Sequence, residues 1–567
     1  MSKKPSKNFV IAAGGTGMRC LQSFLNMCAI GMYEGESVDI LLLETDIENG
    51  DKKNAENLVS WYNTLCSEKS ADSTGFAYFG PQINFYTFVP DYSQDNKRRF
   101  TLISRVEEGN SETNRMLTNL FYEEAVQEFD LMHGFRAQTH VGTYLMYHAI
   151  IEEIREAVAK DVVRGKSQIY KFVNAIKEQN TVGEARVFLL GSTFGGTGAS
   201  SIPVMARAIS DSAKIITGGS IKMENIYFGA VILTPYFKFG SPSKEQKKSA
   251  GVIADSQFFA HNSAATLMYY IKDTTVSKTY KRFYFLGWPF ASLDMDEYKK
   301  KITNAGETTG KTITGGKSQE NPAHPNELIA AFSAKHFFEQ TPKEWFKDIY
   351  TTDYRFKAIE YESGGEGKDK EAFFHFEDMI SGDVKPTNEK SDESIKKKSL
   401  AEIFGKNMTG LYYFSLLIQE IYSGDVTAFL SNLKRYNYTY SFTDEEKDAL
   451  NRYAQYFSYK HDGDNIKPGW LPQMFYSLSS PARGQFFNYN GEAFDVLKVG
   501  KSDMPIHLLF EEFMKAQGNK QGNVFISAWT KYNKPIIGKK AEFFRDLRNV
   551  FSNLNVAKWV AKIENVK

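Results

Sequence analysis

The stretch that decides the fold is Leu190-Gly191-Ser192-Thr193-Phe194-Gly195-Gly196-Thr197-Gly198-Ala199-Ser200-Ser201-Ile202-Pro203. It follows the apolar run 185–190 and precedes the helix-like segment 204–209, so the pattern predicts a strand, a glycine turn and a helix. Glycines let a ligand approach the backbone closely, and the first amides of a helix lack internal partners, so such a turn is suited to hold an anion. The alternative is a strand-to-helix turn that binds nothing.

This turn lacks the lysine of a Walker P-loop. That motif requires G-x-x-x-x-G-K-[ST], and no lysine lies between Leu190 and Pro203. A phosphate group at this turn would therefore be held mainly by backbone amides, hydroxyl groups and a metal ion.

Length and composition describe an ordinary globular chain. Its 567 residues predict about two to four domains and a large buried sheet. The 69 basic and 68 acidic residues give a net charge of +1, so no global field favours nucleic acid or an anionic membrane as a partner. The three cysteines form no C-x-x-C pair, which argues against a zinc site and favours a cytoplasmic location. No apolar run is long enough for a membrane span.

Two further units precede the central turn. The apolar run 8–13 leads into Gly14-Gly15-Thr16-Gly17 and then into a helix-like segment, which predicts a second strand, glycine turn and helix. The strand predicted at 38–43 ends in Glu44-Thr45-Asp46, which places acidic groups where ligands bind in open α/β sheets. These residues are equally suited to begin the helix predicted near Asp51.

More loops and one helix complete the first half. Residues 91–133 are an insertion, and the glycine-bracketed loop 134–142 is a second candidate for a phosphate loop. An apolar strand at 226–233 runs into Thr234-Pro235-Tyr236-Phe237-Lys238-Phe239-Gly240. A helix at about 254–272 then places Phe258 and Asn262 on one face, suited to stacking on a planar base and bonding its edge. A core phenylalanine beside a surface asparagine is the simpler interpretation of that pair.

The second half carries fewer chemical signals. We expect a second α+β domain at 273–362, a charged, mobile linker or loop at 363–399 and a mostly helical region at 400–567. The size of this last region favours a role in binding a protein partner.

The order of these motifs resembles the tubulin and FtsZ superfamily, and most of all its divergent bacterial, tubulin-like members. The signature G-G-G-T-G-[ST]-G is matched at 194–200, with Phe194 in place of the first glycine and Ser200 in place of the last. Residues 234–240 resemble the T-x-P-F-x-F-E-G loop of FtsZ, without its glutamate and one residue shorter. The resemblance covers about residues 8–270. It implies an α/β fold with a Rossmann-like GTPase domain, whose parallel sheet is flanked by helices, followed by an α+β and largely helical C-terminal part.

The resemblance also implies a site for GTP or GDP with Mg²⁺. The phosphates would be bound by Gly14, Gly15, Thr16, Gly17, Gly195, Gly196, Thr197, Gly198, Ala199 and Ser200, and the base by Phe258 and Asn262. Asp46 would lie near the phosphate and ligate the metal.

In that family, subunits assemble head to tail into cytoskeletal filaments, and an acidic loop of the next subunit completes GTP hydrolysis. The corresponding stretch here contains Asn321 and Glu327 but neither aspartate of the N-x-D-x-x-D motif. The resemblance therefore implies a self-assembling GTP-binding protein, with Asn321 and Glu327 as the catalytic candidates from the adjacent subunit. Two alternatives stay open. One is a non-hydrolysing nucleotide-binding regulator or scaffold of the same fold, in a bacterial defence or partition operon. The other is a Rossmann-type dehydrogenase, whose G-x-G-x-x-G spacing fails here.

Overall fold

The computed structural model of the chain describes residues 6–33, 37–46, 49–66, 77–89, 112–128, 134–135, 137–219, 224–238, 255–287, 293–294, 321–339, 356–359, 400–422, 424–434, 440–462, 465–476 and 540–552.

One parallel sheet organises the described part of the chain. Its strand order is β3-β2-β1-β4-β5-β7-β9, and every neighbouring pair runs parallel. A short parallel pair, β6 with β8, and a hairpin, β10 with β11, lie outside this sheet. The strands are β1 (Ser6–Ala13), β2 (Ser37–Leu43), β3 (Gln82–Phe88), β4 (Glu184–Ser192), β5 (Ile226–Leu233), β6 (Phe237–Lys238), β7 (Tyr280–Leu286), β8 (Leu293–Asp294), β9 (Phe356–Ile359), β10 (Tyr459–Asp462) and β11 (Asn465–Pro468).

Helices cover both faces of the sheet and form most of the C-terminal part. They are α1 (Gly14–Ala29), α2 (Gly50–Leu65), α3 (Glu112–Phe121), α4 (Glu124–Glu128), α5 (Thr139–Ala159), α6 (Asp161–Lys166), α7 (Gln168–Val182), α8 (Thr197–Thr217), α9 (Phe259–Lys272), α10 (Thr274–Thr279), α11 (Pro325–Glu339), α12 (Leu400–Leu416), α13 (Val426–Lys434), α14 (Asp444–Phe457), α15 (Trp470–Tyr476) and α16 (Lys540–Ser552). A 3₁₀ turn (Ser256–Phe258) precedes α9, and a π-helical turn (Leu417–Ile421) follows α12.

The side chains of β1 point alternately to the two faces of the sheet and belong to two layers of the core. Val10 and Ala12 face α1, α2 and α11, whereas Phe9 and Ile11 face α5, α7 and α8. All four side chains are fully buried, because β1 is a central strand with helices on both sides. The predicted fold class, a parallel α/β sheet flanked by helices with a largely helical C-terminal part, is confirmed.

The direction in which successive strands are added to the sheet reverses between β1 and β4. The chain passes from β1 outward through β2 to β3, then returns to the other side of β1 and continues through β4 and β5. Helix α1 packs on one face of the sheet and α8 on the other. The two helices therefore start at the ends of neighbouring strands and lead away from them on opposite faces. A crevice at the carboxyl ends of the strands is the usual ligand position at such a switch point.

The segment predicted as the core helix, 254–272, is only partly buried. That segment forms the 3₁₀ turn and α9, whose buried residues are confined to Phe259, Ser263, Thr266 and Tyr270. By contrast, every residue of α11 up to Phe338 is buried except His336. Helix α11 packs against α1, β4, β5 and β7. Strands β7 and β9 follow the predicted domain boundary at 272 in the chain, but they belong to the same sheet as β1 to β5. In the described residues, this boundary therefore does not separate two sheets.

The C-terminal helices dock on the outer side of α1 and α2. Helix α14 contacts α2, and α12 contacts both α14 and α16. The amide of Asn26 in α1 accepts a hydrogen bond from the Tyr453 hydroxyl (2.8 Å) and donates one to the Tyr456 hydroxyl (3.3 Å). Lys540 pairs with Glu446 at 2.5 Å. The described residues of this region therefore pack on the layer formed by α1 and α2 and share its hydrophobic core.

Several expectations fall partly or wholly outside the described residues. Within the predicted insertion 91–133, the described residues form α3 and α4. The predicted linker 363–399 lies outside the described ranges. In the part of the chain that the structure describes, no helix has the length and apolar character required to cross a membrane.

We expect Asn26→Ala to lower the stability of the protein by about 1–3 kcal/mol, because it removes the buried partner of two tyrosine hydroxyls. Thermal unfolding followed by intrinsic fluorescence measures the change. Asn174→Ala is the matched control, since this exposed amide bonds only Glu178 on its own helix in the described contacts. Equal melting temperatures for the two variants would contradict a structural role for the contact.

Candidate functional site

Two glycine turns meet at the switch point of the sheet. The first, Gly14-Gly15-Thr16-Gly17, directly follows β1 and forms the first turn of α1, and the second connects β4 to α8 and contains Gly195 and Gly196. Because β1 and β4 are hydrogen-bonded neighbours, both turns emerge side by side from the same edge of the sheet.

The packing between these turns explains why they are rich in glycine. Gly14 has a φ of +72°, and a Cβ atom there would lie 3.0 Å from the Gly198 amide nitrogen. A Cβ on Gly17 would lie 2.6 Å from the Leu190 carbonyl oxygen. One on Gly198 would meet the Ser192 nitrogen at 3.0 Å and the Ala13 oxygen at 3.1 Å. These positions have no room for a side chain, so the two backbones touch directly.

The residues at the centre of each turn face the solvent. Gly15 and Thr16 in the first turn, and Gly195 and Gly196 in the second, are half-buried, whereas the residues on either side of each pair are buried. Helices α1 and α8 begin here without a side-chain cap. Uncapped amides and the positive end of two helices therefore border one opening, which is a suitable environment for phosphate oxygens.

The loop 134–142 forms a third side of this opening. A Cβ on Gly196 would lie 2.8 Å from the Phe135 Cβ and 3.0 Å from the Ala137 nitrogen. Ala137 has a φ of +65°, an unfavourable conformation for a residue with a side chain. Helix α5 begins two residues later, again without a side-chain cap. The structure thus brings this second-rank candidate loop against the central turn.

The acidic end of β2 reaches the N-terminus of α8. The Thr197 hydroxyl donates to the Glu44 carboxylate at 3.0 Å, and the Thr45 and Thr197 hydroxyl oxygens are 3.1 Å apart. The Thr45 and Asp46 backbone amides also donate to Glu44 Oε1, at 2.7 and 3.1 Å. Burial raises the pKa of Glu44 to about 7, although these hydrogen bonds oppose the shift. Asp46 is buried in the same corner, beside Gly134.

The two departures from the glycine signature have structural reasons. The Phe194 side chain is buried in an aromatic cluster, with its ring centroid 4.8 Å from that of Phe259 and 5.5 Å from that of Phe237. Ser200 is fully buried, and its hydroxyl donates to the Thr197 carbonyl oxygen at 3.1 Å. Both residues thus pack beneath the turn and leave its half-exposed centre unchanged.

The structure does not bring Phe258 and Asn262 to the glycine turns. Phe258 is 55 % exposed, and no contact in the described part of the chain joins either residue to a turn. The next residue along at each position, Phe259 and Ser263, contacts the second turn instead. The Phe259 ring packs on Phe194, and the Ser263 hydroxyl is 2.9 Å from that of Thr193. Phe258 lies in the 3₁₀ turn before α9 and Asn262 is half-buried on α9, and their assignment as base-binding residues stays a prediction.

A buried polar cluster lies beside the opening, between α1 and the start of α11. The Arg19 guanidinium pairs with the Glu327 carboxylate and donates to the Pro322 carbonyl oxygen at 2.9 Å. The Tyr236 hydroxyl donates to Glu327 at 2.7 Å, and the backbone amide of His324 donates to it at 3.1 Å. Burial raises the pKa of Glu327, with Arg19 opposing the shift.

The two catalytic candidates, Glu327 and Asn321, have partners within their own chain, and their role at a subunit contact stays a prediction. Glu327 is only 1 % exposed and belongs to a buried ion pair. Asn321 donates to Asp51 of its own chain at 3.2 Å. At the start of α11, His324 Nδ1 accepts from the backbone amide of Asn326 at 3.1 Å, and Pro325 is the first helical residue.

Several polar atoms of the cluster have no hydrogen-bond partner in the described structure. They are Nε and Nη1 of Arg19 and both Oδ1 and Nδ2 of Asn326, which is 1 % exposed. Leaving a buried amide unbonded is costly, so this arrangement is expected to bind a polar ligand or ordered water. An amide that offers one donor and one acceptor complements the edge of a nucleobase.

Sequence reasoning missed the roles of Glu44, Arg19 and Asn326. Glu44 had a usable signal, because it is the first residue after β2. Arg19 and Asn326 had none, since their proximity arises from the packing of α1 against α11, about 300 residues apart in the sequence.

No protein-family model matches the chain, and no curated protein is significantly similar to it in sequence. A solved structure of CetZ2 from Haloferax volcanii, described as a GTPγS-bound protofilament, is similar over 60 % of this chain with 12 % sequence identity and a TM-score of 0.24. The matched region spans 62 % of the CetZ2 chain. No conclusion about this protein rests on a similarity at that TM-score.

Within the described ranges, no three His, Cys, Asp or Glu side chains are grouped as a metal site. A divalent cation at this opening would therefore draw part of its coordination from hydroxyl groups, water or bound phosphate.

We expect Asp51→Asn to change the pH dependence of stability. Burial raises the pKa of Asp51 to about 7 from its ordinary value of 3.8, with Arg19 opposing the shift. A buried acid with a raised pKa contributes stability below about pH 4 and loses it as the pH rises to about 7, at up to about 1.4 kcal/mol per pH unit.

The stability of Asp51→Asn relative to the parent should therefore increase with pH across this window, as measured by denaturant unfolding. Asp161→Asn, at a carboxylate that is 89 % exposed, should show no such trend. If the difference in free energy of unfolding between Asp51→Asn and the parent does not vary with pH, the raised pKa of Asp51 is contradicted.

Proposed function

We propose that this protein is a tubulin/FtsZ-like GTP-binding protein, which binds the nucleotide at the carboxyl edge of its parallel sheet. The observation that carries the proposal is the direct contact of two glycine turns at the switch point, where the half-buried Gly15, Thr16, Gly195 and Gly196 lie between two helix N-termini without side-chain caps. The resemblance of the turns to the superfamily signature supports a guanine nucleotide as the ligand.

The phosphates would be held by backbone amides of both turns, from Gly14 to Gly17 and from Gly195 to Ser200. Glycines without Cβ room form the walls of this opening, and its centre is free of side-chain bulk. Mg²⁺ would lie near Asp46 and the Thr45 and Thr197 hydroxyls, whose oxygens are the ligand type that the ion prefers. The ion would neutralise phosphate charge beside the buried acidic residues.

The base would bind at the buried cluster beside the turns, and not at Phe258 and Asn262. Asn326 provides an unbonded side-chain amide, and Arg19 provides two nitrogens, Nε and Nη1, without a hydrogen-bond partner in the described structure. Arg19 is five residues after Gly14 on the same helix, about 7 Å along its axis, which matches the separation of a base from its phosphates in order of magnitude.

Head-to-tail self-assembly, with hydrolysis completed at the subunit contact, is the finer part of the proposal. A heterologous contact of this kind extends into filaments. GTP-dependent light scattering tests assembly, and phosphate release tests hydrolysis.

The second candidate is a non-hydrolysing regulator or scaffold that uses the same nucleotide site. The burial of Glu327 in an ion pair favours it, because this removes the one acidic catalytic candidate. GTP binding without phosphate release at any protein concentration would select this candidate.

We expect Gly195→Val to weaken GTP binding by about tenfold or more, a loss of at least 1.4 kcal/mol, because the new side chain would occupy the opening. A Cβ at this position meets only the Ser192 hydroxyl, at 3.4 Å, so the fold should tolerate it. Gly165→Val is the control, since no atom lies within 4 Å of a Cβ there. Titration with a fluorescent GTP analogue measures both. Unchanged affinity in Gly195→Val would refute the phosphate assignment.

We expect Asn326→Ala to weaken GTP binding by about 1–3 kcal/mol while leaving the affinity for inorganic triphosphate unchanged. Because the native amide is buried without a partner, its removal should not destabilise the protein. Calorimetric titrations with GTP and with triphosphate separate the two parts of the ligand. An equal loss for both ligands, or for neither, would contradict base recognition by Asn326.

A further inference from the structure

Helix α3 turns its apolar side towards solvent. Four large apolar residues share this side, and each is at least 45 % exposed. They are Met116, Leu117, Leu120 and Phe121. Among the α3 residues whose burial the structure describes, only Thr118 is buried, and it lies on the other side of the helix. Because an amphipathic helix normally packs its apolar side on other apolar groups, this exposed side is suited to contact another molecule.

The polar side of α3 is the one that faces the rest of the chain. Tyr122, directly after the helix, stacks on His140 near the start of α5 with ring centroids 5.2 Å apart. Arg115, the one basic residue of α3, lies one turn before the buried Thr118 on this same side. Val126 of α4 then enters the core layer of α5 and α8. The contacts of α3 with its own chain therefore leave the apolar side outermost.

Helix α9 exposes a second apolar side. It lies opposite the buried residues of this helix, and its four members recur at i, i+1, i+4 and i+7. They are Ala264, Ala265, Met268 and Ile271. Small residues beside larger ones form a groove, into which the bulkier side chains of another helix can pack. The large apolar residues of α3 and the alanines of α9 are complementary in size.

Helices α5 and α8 lie between these two surfaces. They pack along each other, and the Tyr147 hydroxyl of α5 donates to Asp211 of α8 at 2.9 Å. Helix α9 is attached to α8, where the Tyr270 hydroxyl donates to the Ala199 carbonyl oxygen at 2.5 Å. Both apolar sides are exposed in a single chain, so neither covers the other. They can meet only between two chains.

The charges around the two surfaces are opposite in sign. Exposed carboxylates lie at both ends of α3, with Glu112 at its start and Glu123 and Glu124 directly after it. Helix α9 ends in the exposed Lys272 and contains no acidic residue, and Asp273 after it caps α10. Two α3 helices in contact would bring like charges together, whereas α3 on α9 pairs opposite charges. An anionic membrane would also repel the ends of α3.

We propose that α3 of one chain docks on the apolar side of α9 of a second chain. Since the two surfaces differ, the contact is heterologous. None of the residues in either surface is assigned to the nucleotide, so the inference goes beyond the proposed function and does not depend on it. The contact is also separate from a head-to-tail contact at the nucleotide.

A disulfide cross-link between full-length variants tests this pairing without nucleotide. Leu120→Cys and Met268→Cys, carrying different tags, are mixed and mildly oxidised. We expect a mixed covalent dimer at about tenfold or more the yield of Leu120→Cys mixed with Val162→Cys, because a disulfide requires close and specific geometry. Val162 is the matched control, since this apolar side chain is 73 % exposed on α6, outside both surfaces.

The second measurement is the strength of self-association, by sedimentation of the full-length chain without nucleotide. Leu120→Asp and Met268→Asp should each raise the dissociation constant about tenfold or more, because each places a charge at the centre of one apolar surface. Val162→Asp should leave it unchanged. All three positions are exposed, so the substitutions should not affect folding.

The inference is overturned if the parent stays monomeric at all concentrations, or if either aspartate variant at Leu120 or Met268 keeps the parent's dissociation constant. It is equally overturned if Leu120→Cys cross-links with itself or with Val162→Cys as readily as with Met268→Cys. A monomeric parent that binds anionic vesicles through Leu120 would assign the α3 surface to a membrane instead. None of these measurements contains GTP, so a failure here leaves the proposed function untouched, and a failure to bind GTP leaves this contact untouched.

Discussion

The direct backbone contact between the turns after β1 and β4 is the constraint on which the rest of the site depends. Gly14, Gly17 and Gly198 have no room for a Cβ, so the N-termini of α1 and α8 come as close as two helices on opposite faces of a sheet can. This closeness joins two sets of free amides and two helix dipoles at one opening. It also places Thr197 against Gly14 and against the acidic end of β2.

Helix α1 links this opening to the rest of the molecule. Its first residues border the opening, Arg19 forms the buried pair with Glu327, and Asn26 binds two tyrosines of α14. The helix is buried along almost its whole length, because α11 covers one side and the C-terminal helices cover another. A buried polar group without a partner is unfavourable, so each polar residue of α1 restricts which helix can pack beside it. The C-terminal region is thus part of the same core.

In the cluster around Arg19, neighbouring buried side chains differ in how far their hydrogen bonds are satisfied. Glu327 has its bonds completed by Arg19, Tyr236 and the His324 amide, which accounts for its carboxylate without any ligand. Asn326, one residue before it, has none for its side chain. The difference follows from helix geometry, since successive residues of a helix point about 100° apart. The Glu327 side chain therefore faces the ion pair, and the Asn326 side chain points in a different direction.

The sequence by itself determined the local units of this protein: the glycine turns, the strands before them and the helices after them. Apolar runs, glycines and turn residues act within a few positions of one another, so the fold class and the glycine turns could be predicted. Only the tertiary structure decided that Phe259 faces the turn instead of Phe258, that Glu327 is buried, and that Arg19 pairs with it. These facts depend on helix rotation and on contacts across about 300 residues, for which local periodicity carries no information.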